Sequence, residues 1–179
     1  MSLSTAQSDR VILVDIAGHQ IGTAAKDTVH TQETPLHLAF SCYVVDKRGH
    51  ILITRRSLAK TAWPGVWTNS LCGHPLPGED SGDAVRRRAL HELGVDLDGL
   101  ELVLPHFRYR ATDAGGIVEN ELCPVYRATT VDDLRPNPDE VMEFAWAAPA
   151  RLHRAVQDTP WAFSPWMVLQ VLELEASRA

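Results

Sequence analysis

A chain of 179 residues, 45% of them hydrophobic, can bury one substantial core over residues 1–179 and is too short to divide into two domains. Its formal charge of -6 and sequence pI near 5.7 exclude broad, non-specific association with nucleic acid or an anionic membrane, so its basic residues must act locally. Three cysteines without CxxC spacing, Cys42, Cys72 and Cys123, exclude a disulfide framework and a thiolate zinc cluster, and they suit a reducing cytoplasm.

The opening MSLSTAQSDR lacks the apolar region of a secretory signal, and no run approaches a membrane span. Residues 1–9 are polar and are expected to be disordered. Residues 10–16, RVILVDI, are β-rich and predict a first strand closed by a turn over 17–22. The polar segment that follows has no period, which places Lys26 and His30 on a loop. His37 opens a long apolar strand over 36–46, and KRGH makes the turn to a returning strand at 51–56, so a hairpin is expected there. A helix is expected over 83–93, with Asp80 or Ser81 as N-cap, Ala84, Val85, Ala89 and Leu93 as its apolar stripe and Gly94 as its stop. Residues 100–111 and 117–129 read as strands joined by TDAGG. Residues 141–148 read as a strand ended by Pro149, before helices at 150–156 and 165–177. The pattern is α+β, with a mixed sheet sandwiched between helices.

The densest stretch is WTNSLCGHPLPGE, residues 67–79, with a thiol, an imidazole, a glycine and two prolines. If the strand begun at Trp67 stays extended, Cys72 and His74 share a side of it. From Gly73 the chain reads G-x5-E-x7-R through Glu79 and Arg87, then Ala89, Glu92, Gly94 and Val95. This resembles the Nudix box, a loop-helix-loop that holds a metal-bound diphosphate. The resemblance is partial: where the hydrolase box has Arg-Glu and then Glu-Glu, this chain has Arg87-Arg88 and His91-Glu92. Metal-assisted hydrolysis is therefore poorly equipped, although phosphate remains welcome.

In GIVENELCPVY, Glu119, Glu121 and Cys123 alternate and so share one strand face. Two adjacent carboxylates repel unless a cation lies between them, although an isolated pair also suits a solvated face. His30, His37 and His74 could converge on them to give three nitrogens and two oxygens, a set suited to Mn2+, Zn2+ or Fe2+.

The segments HLAFSCYVVD, TRRSLAKTAWPGVWTNSLCGHP, FRYRATDAGGIVENELCPV, PDEVMEFAW and TPWAFSPWMV together resemble the type 1 isopentenyl-diphosphate isomerases, which have a Nudix-like fold. That resemblance implies a metal held by His30, His37, His74, Glu119 and Glu121: Mn2+, or else Zn2+ or Mg2+. It implies Cys72 and Glu121 as the proton-handling pair on opposite faces of the substrate, with Tyr109 beside Glu121. Lys26, Arg56, Lys60 and Arg88 would hold the diphosphate, Glu92 would help hold a bridging Mg2+ near Cys72, and Trp166 would face the hydrocarbon. The implied partner is a small prenyl diphosphate, for a cytoplasmic monomer or homodimer. Cys42 is expected in the core, while Cys123 stays open as a rival to Cys72. Trp161 and Phe163 are open between core and site.

Overall fold

A computed structural model describes residues 10–177, so the expectation for residues 1–9 lies outside the described residues. The described chain forms two mixed β-sheets and four helices, within the expected α+β class. The single expected sheet is two because three long extended stretches bend from one sheet into the other. Residues 36–46 divide into β3 (His37–Leu38) and β4 (Phe40–Val45), and Ala39 at the break donates its N–H to the Leu122 carbonyl at 2.9 Å. Residues 117–129 divide into β10 (Val118–Leu122) and β11 (Val125–Thr129). Pro124 stands at that break, where it has no N–H to give a continuous ladder. Residues 98–112 become β8 (Asp98–Leu104) and β9 (Arg108–Thr112).

One sheet runs β2 (Gln20–Ala25), β1 (Arg10–Val14), β3, β10, β9. The other runs β12 (Val141–Ala147), β5 (Ile51–Arg56), β4, β11, β8, with β6 (Trp67–Thr68) on β5 and β7 (Leu71–Gly73) on β4. Strand β3 is parallel to β10 and β4 to β11, so the two neighbours bend at one level. The site is built at that bend.

Strand β4 explains the continuous apolar run, because all six of its residues are buried. Helix α2 (Ser81–Leu93) lays Ala84, Val85, Ala89 and Leu93 against Phe40, Cys42, Val44 and Leu71. On the opposite side Tyr43 packs with Leu152 of α3 (Pro149–Asp158) and Met167 of α4 (Pro165–Ala176). Emptying such a position, as in Leu93→Ala, costs about 2–5 kcal/mol. Cys42 lies in this core, as expected.

Three local expectations are corrected. The turn expected over 17–22 runs into β2, which pairs with β1 along its whole length, and this edge strand has no apolar alternation to announce it. Lys26 lies on a single helical turn, α1 (Lys26–Val29), pinned by buried Val29, with His30 at its end. Helix α2 begins before residue 83, because the Asp80 carboxylate accepts from the Gly82 and Asp83 N–H groups. Gly94 closes it at φ 68°, a left-handed conformation that favours glycine. No helix among the described residues is long and apolar enough to cross a membrane.

Candidate functional site

Strand register does most of the assembly. His37 of β3 stands opposite Glu121 of β10, and Glu121 stands opposite Tyr109 of β9, so three strands present them side by side. Strand β7 pairs Cys72 with Ser41 and Gly73 with Phe40, which sets the thiol at the edge of the same cleft. A Cβ on Gly73 would lie 2.8 Å from the Phe40 ring and 2.9 Å from Arg88 Cγ, so only glycine lets β7 enter between β4 and α2. Beyond it, Glu79 grips Arg87 through Nε at 2.7 Å and Nη2 at 2.8 Å and accepts the Leu76 N–H. Arg87 also reaches the His74 carbonyl at 3.3 Å, so this ion pair latches the loop that carries His74.

One potential ligand atom from each of His30, His37, His74 and Glu121 lies within 4.8 Å of the others. His74 Nε2 is 3.2 Å from both His37 Nε2 and Glu121 Oε1. His37 is oriented by its Nδ1 on the Pro35 carbonyl at 2.9 Å. His30 Nε2 and Glu119 Oε2 face each other at 3.2 Å, yet both are buried without a hydrogen-bond partner. Such orphaned donors and acceptors are costly in a protein interior, and a divalent cation among them would satisfy the set. The donor chemistry thus fits a metal, with Glu119 next to the four-residue group.

Protonation states follow from burial and charge. Burial pushes His74 down to about 4. Burial also opposes the charged form of His37, but hydrogen bonding to Glu121 and its negative charge outweigh that and raise it. Glu121 is pushed up by burial, yet its hydrogen bonds with His37 and His74 hold it well below the usual carboxylate range. Glu119, buried beside the Glu121 charge, is raised. Tyr109 donates its hydroxyl to Glu121 Oε2 at 2.9 Å and stays a neutral phenol, because burial drives its pKa well up.

The other wall carries sulfur and aromatic rings. Cys72 Sγ is 3.2 Å from Asn69 Oδ1 and 3.4 Å from Ser41 Oγ, and burial pushes the thiol up to about 11. Trp166, 2% exposed, meets Tyr109 at 5.6 Å and Trp63 at 5.4 Å between ring centroids. Arg56 lies 5.5 Å over the Trp166 ring and donates to the carbonyls of Ala62 and Trp63. At the basic end, Glu140 pairs with Lys60 and, at 3.2 Å, with Arg88, which also grips Glu92 one helical turn on. Burial brings Lys60 down to about 8.

A cavity of about 340 Å³ is lined by Lys26, His30, Arg56, Lys60, Cys72, His74, Arg88, Tyr109, Glu119, Glu121 and Trp166. His37 sits behind this lining with no exposure, and Glu92 connects to it through Arg88. Cys123 is a core residue 3.5 Å from Ser41 Oγ and does not line the cavity. The aromatic cluster of the tail divides: Trp161, 79% exposed, and Phe163 border an outer apolar groove, and Trp166 alone turns inward. Sequence reasoning missed Asn69, Ser41 and Glu140. Asn69 lies in the dense 67–79 stretch, and nothing in its spacing separates it from a turn residue.

Residues 35–167 match the family model described as NUDIX domain. The chain is 59% identical over 164 residues to a protein of Clavibacter michiganensis named Isopentenyl-diphosphate Delta-isomerase, covering 92% of this chain and 84% of that one. A protein of the same name from Paenarthrobacter aurescens is 58% identical over 172 residues, covering 96% of this chain and 94% of its own. Among solved structures, a Deinococcus radiodurans protein superposes with a TM-score of 0.72 over 93% of this chain and 99% of its own at 19% identity, a likeness of fold. A MutT protein from Methanosarcina mazei gives 0.63 over 80% and 96% at 14% identity.

Proposed function

The chain belongs to the isopentenyl-diphosphate Delta-isomerase family of NUDIX-domain proteins and is an isomerase, and from that premise we propose how its own residues interconvert isopentenyl and dimethylallyl diphosphate. The observation that carries the reading is one cavity with a histidine-glutamate nest on one wall and the Cys72 thiol on another. His30, His37, His74, Glu119 and Glu121 would hold the metal, Mn2+ or alternatively Zn2+ or Mg2+. When bound, that ion supplies positive charge that gathers the nest and keeps Glu121 a carboxylate.

The isomerisation adds a proton to one end of an allylic unit and removes one from the other. Cys72, held protonated by burial, is equipped to give a proton, and Glu121, held ionised, is equipped to take one. Tyr109 stands hydrogen-bonded to Glu121 and shares in that transfer. On the reverse passage the proton returns along the same pair. Protonating an unactivated alkene builds positive charge on a tertiary carbon, which water would capture. The Trp166 face, buried and backed by Tyr109 and Trp63, excludes water and offers about 2 kcal/mol of cation-π stabilisation.

Lys26, Arg56, Lys60 and Arg88 would bind the diphosphate, with Glu92 and Cys72 beside a Mg2+ that it carries. Glu140 and Glu92 hold Lys60 and Arg88 in place, so remote binding energy can position the reacting carbons. A reducing cytoplasm suits the three cysteines, all free in the described structure. The decisive assay is incubation with isopentenyl diphosphate, Mg2+ and Mn2+ in D2O. Deuterated dimethylallyl diphosphate without free phosphate is the expected product; phosphate release without allylic product would mean hydrolysis, and unchanged substrate would mean binding alone.

A further inference from the structure

Asn69 is fully buried, and its side chain makes more polar contacts than any tight turn requires. Its Nδ2 donates to the carbonyls of Leu71 at 2.8 Å and Cys42 at 3.2 Å. That anchorage fixes the amide plane and leaves Oδ1 facing Cys72 and Trp166, two residues that line the cleft. Oδ1 accepts from Trp166 Nε1 at 2.9 Å, from Thr68 Oγ1 at 2.9 Å and from Cys72 Sγ at 3.2 Å. The opposite amide orientation would set NH2 against the indole N–H and two carbonyl oxygens against Oδ1, so the network permits one assignment.

We propose that Asn69 is a positioning residue for the isomerisation, its single amide oxygen fixing the Cys72 sulfur and the Trp166 ring relative to each other across the hydrocarbon part of the cavity. The proposal rests on the roles given above to Cys72 and Trp166. Those two residues come from elements far apart in sequence, β7 and α4, and among the described residues no other side chain hydrogen-bonds to both. A sulfur must meet one particular carbon while the ring meets the charge that appears next to it, so a displacement of about 1 Å is enough to cost on the order of 100-fold in rate. A leucine would fill the same buried space without holding either partner.

The test compares Asn69→Leu with Asn69→Asp. Asn69→Leu loses the acceptor and both amide donors, whereas Asn69→Asp in its neutral form keeps one O–H donor for the Leu71 or Cys42 carbonyl, so the indole resonance separates loss of the acceptor from loss of anchorage. Only Asn69→Asp keeps an acceptor oxygen, and burial favours its neutral form, which carries no added charge. Asn69→Leu is expected to lower kcat by about 30- to 100-fold with KM within about threefold and metal content unchanged, and Asn69→Asp to recover kcat to within about fivefold of the parent. The Trp166 indole N–H proton resonance, assigned by its loss in Trp166→Phe, should move upfield in Asn69→Leu and stay in Asn69→Asp. Should Asn69→Leu not fold, Asn69→Ala, which also lacks an acceptor, takes its place with the same expectations. Equal kcat losses in the two variants, a kcat retained within about threefold in Asn69→Leu, or an unmoved indole resonance would overturn the proposal. An inactive Cys72→Ala beside a fully active Asn69→Leu overturns this proposal alone, whereas an active Cys72→Ala overturns the reading beneath it.

Discussion

The two walls of the cleft are held by opposite means. On the sulfur wall the polar atoms around Cys72 are hydrogen-bonded to one another: Asn69 Oδ1 is saturated, and Gln170 ties Ser41 Oγ to the Tyr43 hydroxyl at 2.9 and 3.0 Å. On the histidine wall His30 Nε2 and Glu119 Oε2 are buried without hydrogen bonds, and the Nε2 atoms of His37 and His74 stand 3.2 Å apart. Satisfied groups are fixed by the protein itself, whereas under-satisfied ones gain most from a ligand. One wall is therefore a template for geometry and the other a receptor for charge.

If that division is right, the walls should fail differently. Cys72→Ala should lower turnover by about 1,000-fold while leaving metal content intact by elemental analysis; turnover near the parent's would remove the thiol from the chemistry. His37→Ala and Glu119→Gln should each weaken metal affinity by about 10- to 100-fold, and full occupancy in both would break the five-ligand assignment. Stripping the metal with a chelator should lower Tm, and Tm should return on adding Mn2+ in proportion to the logarithm of its concentration.

Acid should reach the histidine wall first. The metal takes neutral imidazole, and His37 holds its proton above the ordinary histidine range, so binding must release that proton. Metal retention is expected to fall as pH drops through the raised His37 value, and proton uptake on metal release, measured by calorimetry in two buffers, checks the sign. The smallest effect is at the loop latch: the half-exposed Glu79–Arg87 pair should contribute about 1 kcal/mol or less, read by urea unfolding of Arg87→Ala.

Much of this was legible in the chain. The alternation Glu119, Glu121 announced a strand face, and Asp80 and Gly94 bracketed the helix, because these signals are local and set by backbone period and capping. Strand β2 escaped because an edge strand with little burial has no apolar period. Glu140 escaped because an ordinary charged residue in a loop acquires meaning only when Lys60 and Arg88 arrive beside it.

By itself the sequence determined the family, the elements with a clear period or cap, and which residue types were available, since composition and period act over a few residues at a time. Tertiary structure alone decided which of the candidate groups meet. The bend at Ala39 and Pro124 carries β3 and β10 into one sheet and β4 and β11 into the other, and the register across them brings His37 to Glu121 and Ser41 to Cys72. It also separates Trp166 from Trp161 and buries Cys123 behind the cavity. Register is a long-range property: it is set by which strands share a core, and no short window of the chain contains it.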